Sequence, residues 1–335
     1  MPTEWEYHPA ILLAWPHKDT DWNGCLKEVR EFYKELIGIF VEKDIKVLLA
    51  TPNPDSTKKI LGESGFGKKI IYLNYKTNDT WTRDFGPITV FEHGTPVVCD
   101  FKFNGWGLKF PSDRDNLLTS SFFLDPINGE YENHLSFVLE GGSIESDGNG
   151  TIMTTTSCLL SPNRNGGMTK EEIETKLMDS LGAVNVLWLE HGGLTGDDTD
   201  GHIDTLARFC PNRSIVFIGC DDESDEHYKD LQMMKKELSD FKDAEGKPYS
   251  LFELPLPDAI YDDNGNRLPA TYANFLATPE FIVMPTYGQK EKDEIAKQVL
   301  CRVFQKEVIG IDSRILITQH GSLHCATMQL PDSII

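Results

Sequence analysis

No run of about 18 consecutive apolar residues occurs in this 335-residue chain, so the sequence offers no membrane-spanning helix. The opening Met1-Pro2-Thr3-Glu4-Trp5-Glu6-Tyr7-His8 lacks the basic start and apolar centre of a signal peptide. Cationic side chains are scarce: 32 Lys and Arg against 53 Asp and Glu leave a formal charge of −21. That balance argues against nucleic acid or an anionic membrane as partner. Seven cysteines, odd in number and without a Cys-x-x-Cys pair, argue against a disulfide framework or a zinc cluster. They point to reduced thiols and a cytoplasmic protein. No linker rich in Gly, Ser or Pro divides the chain, so 1–335 reads as one domain.

What is present is an alternation of strand and helix signals. Lys46–Ala50 and Lys69–Leu73 read as buried strands, and Leu26, Val29, Phe32, Tyr33, Leu36 and Phe40 mark an amphipathic helix before them. Thr169 and Glu172 form a capping box for a helix that Gly182 stops, and two more helices are expected near 224–239 and 289–305. A weak repeat underlies this. Five times a polar residue stands beside a hairpin-like strand pair: Asp84, Glu140, His202, Asn274 and Cys325, at steps of 56, 62, 72 and 51 residues. Units of this length, each with strands and usually a helix, suit radial closure about a central site, where five polar residues distant in sequence would meet.

The chemistry begins at Gly201-His202-Ile203-Asp204, which reads as the start of a strand through Phe209 that points both side chains to one face. Cys325 is the candidate nucleophile, since a thiolate attacks well and draws its base from elsewhere in the chain. The segment around Cys325 reads as strand, where neighbours face opposite sides, so His324 should point away from the Cys325 thiol, leaving His202 as the base. Asp84 precedes a strand, and Glu140 stands between the apolar Phe137–Leu139 and two glycines. Asn274 reads as an amide that satisfies backbone groups in a turn. One Cys, one His and three carboxylates suit a planar cation: carboxylates on two edges bind a guanidinium by forked hydrogen bonds while the thiolate attacks from above its plane. The bound positive charge favours ionised sulfur, and His202 can protonate departing ammonia and then deprotonate water. The scheme needs no metal and no cofactor.

The segments MPTEWEYHP, NDTWTRDFGP, FKFNGWG, LEGGSIESDGNGTIMTTTSCLLSPNRN, LTGDDTDGHID, YANFLATPEFIVMPTYG and GSLHCATMQLP together resemble the agmatine deiminases. These share a family with the bacterial type of peptidyl-arginine deiminase, inside the guanidino-modifying pentein superfamily. The resemblance runs over nearly the whole chain and implies an α/β fold, a five-bladed ββαβ propeller with pseudo-fivefold symmetry and the active site on its axis. It implies Cys325 as nucleophile, His202 as general acid and base, Asp84 and Asp204 as guanidinium-binding carboxylates, and Glu140 as the acid that orients the histidine or water. Asn274 matches a polar residue near the site, Trp81 an aromatic wall, and Asp198 a partner for the distal amine. One segment departs from the pattern. The family commonly reads GGGNIHC before its nucleophile, whereas this chain has Thr318-Gln319-His320-Gly321-Ser322-Leu323-His324-Cys325.

The expected partner is therefore a small cationic guanidine, with agmatine favoured because no arginine or lysine stands out to clamp a substrate carboxylate. Self-association into a homo-oligomer is left open. So are two other readings: action on another guanidine such as arginine or peptidyl-arginine, and a non-catalytic binder of polyamines or of Ca²⁺ at Asp197, Asp198 and Asp200. Those three acids lack EF-hand spacing and its closing Glu.

Overall fold

Five small sheets repeat one connection, a hairpin of two antiparallel strands followed by a helix and a third strand parallel to the second. The computed structural model describes residues 1–62 and 66–335. The repeat is plainest in the third unit, where Ile144–Ser146 pairs with Thr151–Thr155 and helix Lys170–Leu181 leads to Asn185–Leu189. The fourth unit runs Ala207–Cys210, Ser214–Gly219, helix Tyr228–Asp240 and Ser250–Pro255. The fifth runs Leu276–Ala277, Phe281–Thr286, helix Lys290–Phe304 and Glu307–Asp312. In the second, Ile88–Glu92, Thr95–Lys102 and Glu130–Val138 follow the same order, with short helices Gly105–Leu108 and Leu118–Phe122 on the crossover.

The first unit is made from both ends of the chain. Strand Met328–Pro331 lies antiparallel to Pro9–Ala14, pairing Pro9 with Pro331. Helix Leu26–Glu42 then leads to Lys46–Thr51, and Ile70–Asn74 adds a fourth strand. The N-terminal strand thus gains a partner on each side and leaves no open edge. Its six residues are all buried, as are those of Ser214–Gly219, because side chains on both faces are covered. The helix turns one stripe inward, burying Val29, Phe32, Tyr33, Leu36, Ile37 and Phe40.

This is the ββαβ order expected of a five-bladed pentein, and it fixes where the polar positions fall. Asp84, Glu140, His202, Asn274 and Cys325 each sit in the link that enters the first strand of a unit. The expected helices form at Tyr228–Asp240 and Lys290–Phe304, and Thr169 and Glu172 close their capping box before a left-handed Gly182. Two local expectations need correction. Ile203–Thr205 is a 3₁₀ turn, and the strand begins only at Ala207, because the backbone must leave the site before joining its sheet. Leu323–Ala326 is likewise a turn and not strand. No helix among the described residues is long and apolar enough to cross a membrane.

Candidate active site

Gly142 marks the place where three units converge. A methyl group there would lie 2.7 Å from His202 Nδ1, 2.8 Å from Asp84 Oδ1 and 3.0 Å from Asp204 Oδ2. Glycine is required because three polar groups, two from one link and Asp84 from another, close around this backbone. His202 and Asp204 therefore do meet, although through a turn and not through strand alternation. All three residues are 3 % exposed or less.

Each carboxylate is held differently. Asp84, on the helical turn Thr82–Phe85, accepts from the Trp106 indole N–H at 2.9 Å and from the Gly142 N–H at 3.0 Å. Burial pushes its pKa up to about 6, with Asp204 and Glu140 adding repulsion against the pull of His202. Asp204 Oδ2 accepts from His324 Nδ1 at 2.7 Å, and its Oδ1 has no hydrogen-bond partner. Burial works against ionisation of Asp204, but the hydrogen bond and charge of His324 outweigh it and hold the carboxyl below its ordinary range. Glu140 accepts from His202 Nε2 at 3.1 Å and from Arg164 Nε at 2.8 Å. Burial opposes its charge too, and those two partners prevail.

His202 Nδ1 is unpartnered, 3.6 Å from Asp84 Oδ1. Burial lowers the pKa of His202, yet Asp84, then Cys158 and Glu140, raise it well above the usual histidine range. The Cys325 thiol is pushed well above its ordinary value, by burial first and then by the charges of Asp204 and Asp84. A buried thiol facing two carboxylates stays protonated until positive charge enters. Asn274 is aimed at it: Oδ1 accepts from the backbone N–H groups of His324 and Cys325 at 2.9 and 3.3 Å and lies 3.4 Å from Cys325 Sγ. Its Nδ2 donates to the Asp204 carbonyl at 3.4 Å. Asn274 thus ties the nucleophile's turn to the turn carrying Asp204, more than the backbone role expected of it. His324 points away from the thiol, as expected, towards Asp204, Glu4 and Arg208.

A narrow pocket opens outward from Cys325 and Asp84 between the rings of Trp81, Trp106 and Phe110. Trp81 is 5 % exposed and packs on Trp22, and a Cβ at Gly321 would strike its ring at 2.4 Å. Gly321 lets the chain lie flat on that wall. Ser322 shares a hydrogen bond with the Tyr287 hydroxyl at 3.0 Å. The lining also includes Asp21, Asp79 and Asp198 and, among the described residues, no lysine or arginine. Burial pushes Asp79 up to about 7, and burial with the charge of Asp197 raises Asp198.

The acidic loop before His202 binds the protein itself. Asp197 accepts from Thr199 and Gly201, while Asp200 pairs with Lys109 and Arg164. Its acids are thus taken up by protein donors, and only Asp198 lines the pocket.

Sequence reasoning passed over Trp106, Arg164, Asp79 and Asp21. Trp106 carries a positive φ of 55° between Gly105 and Gly107, a conformation rare for a bulky residue. An aromatic bracketed by glycines in FNGWG was the available signal. Arg164 lay in SPNRN with nothing local to tie it to Glu140. One arginine is commonly a surface charge; here its side chain is fully buried.

Comparisons with known proteins agree with this geometry. Residues 1–331 match the family model of the Porphyromonas-type peptidyl-arginine deiminases. A Legionella pneumophila relative, provisionally described as an agmatine deiminase, is 32 % identical over 99 % of this chain and 95 % of its own. The structure of a substrate-bound cysteine-to-serine variant of C. jejuni agmatine deiminase superposes with a TM-score of 0.91 at 39 % identity, covering all of this chain and 96 % of that one. Agmatine deiminase of Enterococcus faecalis gives 0.88 at 29 % identity, with the same coverages. A dimethylarginine dimethylaminohydrolase at 13 % identity and a TM-score of 0.52 shares the fold alone. The full-length match and the conserved architecture together place this chain in the Porphyromonas-type peptidyl-arginine deiminase family.

Proposed function

We propose that this chain hydrolyses agmatine to N-carbamoylputrescine and ammonia. The observation that carries the reading is the shape of charge along the pocket. Asp84 and Cys325 line it together, the charge of Asp204 reaches that thiol, and Asp21, Asp79 and Asp198 line it as well and would meet a distal ammonium. An arginine or peptidyl-arginine substrate would bring a carboxylate or peptide carbonyl against those acids, with no lysine or arginine lining the pocket to receive it. Full-length similarity to agmatine deiminases supports the same substrate.

In this reading Asp84 and Asp204 grip two edges of the guanidinium by charge-assisted hydrogen bonds. The entering cation offsets the repulsion that keeps Cys325 protonated, so the thiol gives its proton up to solvent and the thiolate attacks the central carbon. His202, protonated at the start, gives its proton to one amino group, which leaves as ammonia and leaves an amidino-thioether on Cys325. Neutral His202 then takes a proton from water as the oxygen bonds to the same carbon. Collapse breaks the C–S bond, restores the thiolate and releases the ureido product, whose oxygen sheds its remaining proton to solvent. Glu140, whose Oε2 also accepts from Arg164, orients His202. Trp81 walls the alkyl chain, and Asp198 with Asp79 receives the distal amine. Asn274 holds the nucleophile's turn.

The whole of 1–335 is read as one catalytic domain acting on a small cation in the cytoplasm, and the seven free thiols fit a reducing compartment. Incubation with agmatine, arginine and a peptidyl-arginine side by side tests the substrate, with ammonia and ureido product as readouts. Turnover of agmatine is expected. Brisk release from arginine or the peptide, with none from agmatine, would overturn the reading. Acid quenching should leave the amidino mass on the peptide containing Cys325 and on no other cysteine.

A further inference from the structure

Behind Asp204, on the side away from the thiol, lies a buried ionic cluster that the proposed chemistry does not use. His324 touches Asp204 through Nδ1 at 2.7 Å and Glu4 through Nε2. Glu4 also forms an ion pair with Arg83 at 2.9 Å and accepts from Arg208 at 3.0 Å and from the Ala277 backbone N–H at 3.0 Å. Arg208 in turn holds Glu145 and the carbonyl oxygens of Ala273 and Phe275. The side chains of Glu4, Arg83, Arg208 and His324 are each at most 8 % exposed. Burying these charges is costly unless each is paired and hydrogen-bonded, as here. What they meet at one end is Asp204, whose Oδ2 is tied to His324 while Oδ1 is left without a partner.

We propose that Glu4 is a positioning residue for the substrate cation, acting through His324 to hold Asp204 in the orientation that leaves Oδ1 free for the guanidinium. Glu4 lies 320 residues from His324, on the segment before the first strand, so the N-terminal segment completes the active site from behind. An imidazole bridging two carboxylates fixes its own ring plane and, with it, the carboxylate it donates to. Asp84 has no such support: its donors are an indole and a backbone N–H. The proposal rests on the reading that Asp204 grips the guanidinium.

The test compares Glu4→Gln and His324→Asn with wild type and with Asp204→Asn, using agmatine. Gln keeps the shape of Glu4 but loses its charge. Asn at 324 keeps a donor for Asp204 but loses reach to Glu4. A positioning role predicts a KM for Glu4→Gln raised about tenfold or more with kcat lowered less, the size of one lost hydrogen bond to a charged group. His324→Asn should show the same split, and the two changes together should cost no more than either alone. Melting temperatures are measured alongside, so that a general loss of folding is seen as falling active-site titre and not as a KM effect. Unchanged KM in both variants, or additive losses in the double variant, would overturn the proposal. If Asp204→Asn itself leaves KM unchanged, the reading of Asp204 fails instead. Should Glu4→Gln not fold, the KM-against-kcat split of His324→Asn decides alone.

Discussion

Asp84 and Asp204 are the same residue type, equally buried and proposed for the same task on two edges of one cation, yet their surroundings oppose each other. Asp84 is held by neutral donors, and burial pushes it up to about 6. Asp204 is backed by His324 and, beyond it, by Arg208, which hold it below the ordinary carboxylate range. The contrast shows how a binding site for a cation divides its labour. One carboxylate is a fixed charge supported from behind, and the other becomes fully ionised as positive charge enters. An empty site with both acids fully charged and unpaired would carry a heavy desolvation cost.

Substitution offers the strongest way to break the comparison. Asp204→Asn and Asp84→Asn should each reduce kcat/KM by about two to four orders of magnitude, since each leaves one edge of a desolvated cation unpaired. Equal, small losses in the two variants would remove both from the binding role. A pH profile then separates them. Asp84 grips the cation only as a carboxylate, and its value near 6 lies above the ordinary carboxylate range of about 4. Wild-type kcat/KM should therefore fall about tenfold per pH unit below about 6. The residual activity of Asp84→Asn should lack that limb, because Asp204 stays ionised there; that of Asp204→Asn should keep it.

Trp106→Phe sharpens the same point with a smaller effect. It removes the indole N–H from Asp84, so kcat/KM should drop about tenfold and the acid limb should move to higher pH. A loss without movement of the limb would mean that Trp106 acts only as a wall. The smallest expected effect is on stability in the substrate-free protein, and here the two variants differ in sign. A carboxyl raised by folding makes stability fall as pH rises from about 4 through about 6, so at pH 8 Asp84→Asn should raise the melting temperature by about 2–4 °C. A carboxyl lowered by folding adds stability at that pH, so Asp204→Asn should lower it. Matching signs, read by calorimetry, would erase the contrast.

Much of the molecule was legible before its shape was known. The recurrence of a polar residue before each strand pair identified five units, and every one opens a sheet as expected. Cys325, His202, Asp84, Asp204 and Glu140 converge as the constellation required. Less legible were residues whose meaning depends on what stands opposite them. Glu4 looked like one acid in an acidic start, and Arg164 like one surface cation. His324 was read as pointing away, and nothing in its neighbourhood said towards what. The strand expected at 205–209 shows the same limit locally: an apolar run gives a strand but cannot say that a 3₁₀ turn will first aim His202 and Asp204 inward.

The sequence by itself determined the repeat, the acidic character, and the residue types that chemistry on a guanidine needs, because patterning and functional groups are properties of the chain. Only the tertiary structure decided which neighbour each charge meets. That decision sets two aspartates to opposite ends of their range, since a pKa is fixed by burial and by partners from distant units, and neither is written along the chain.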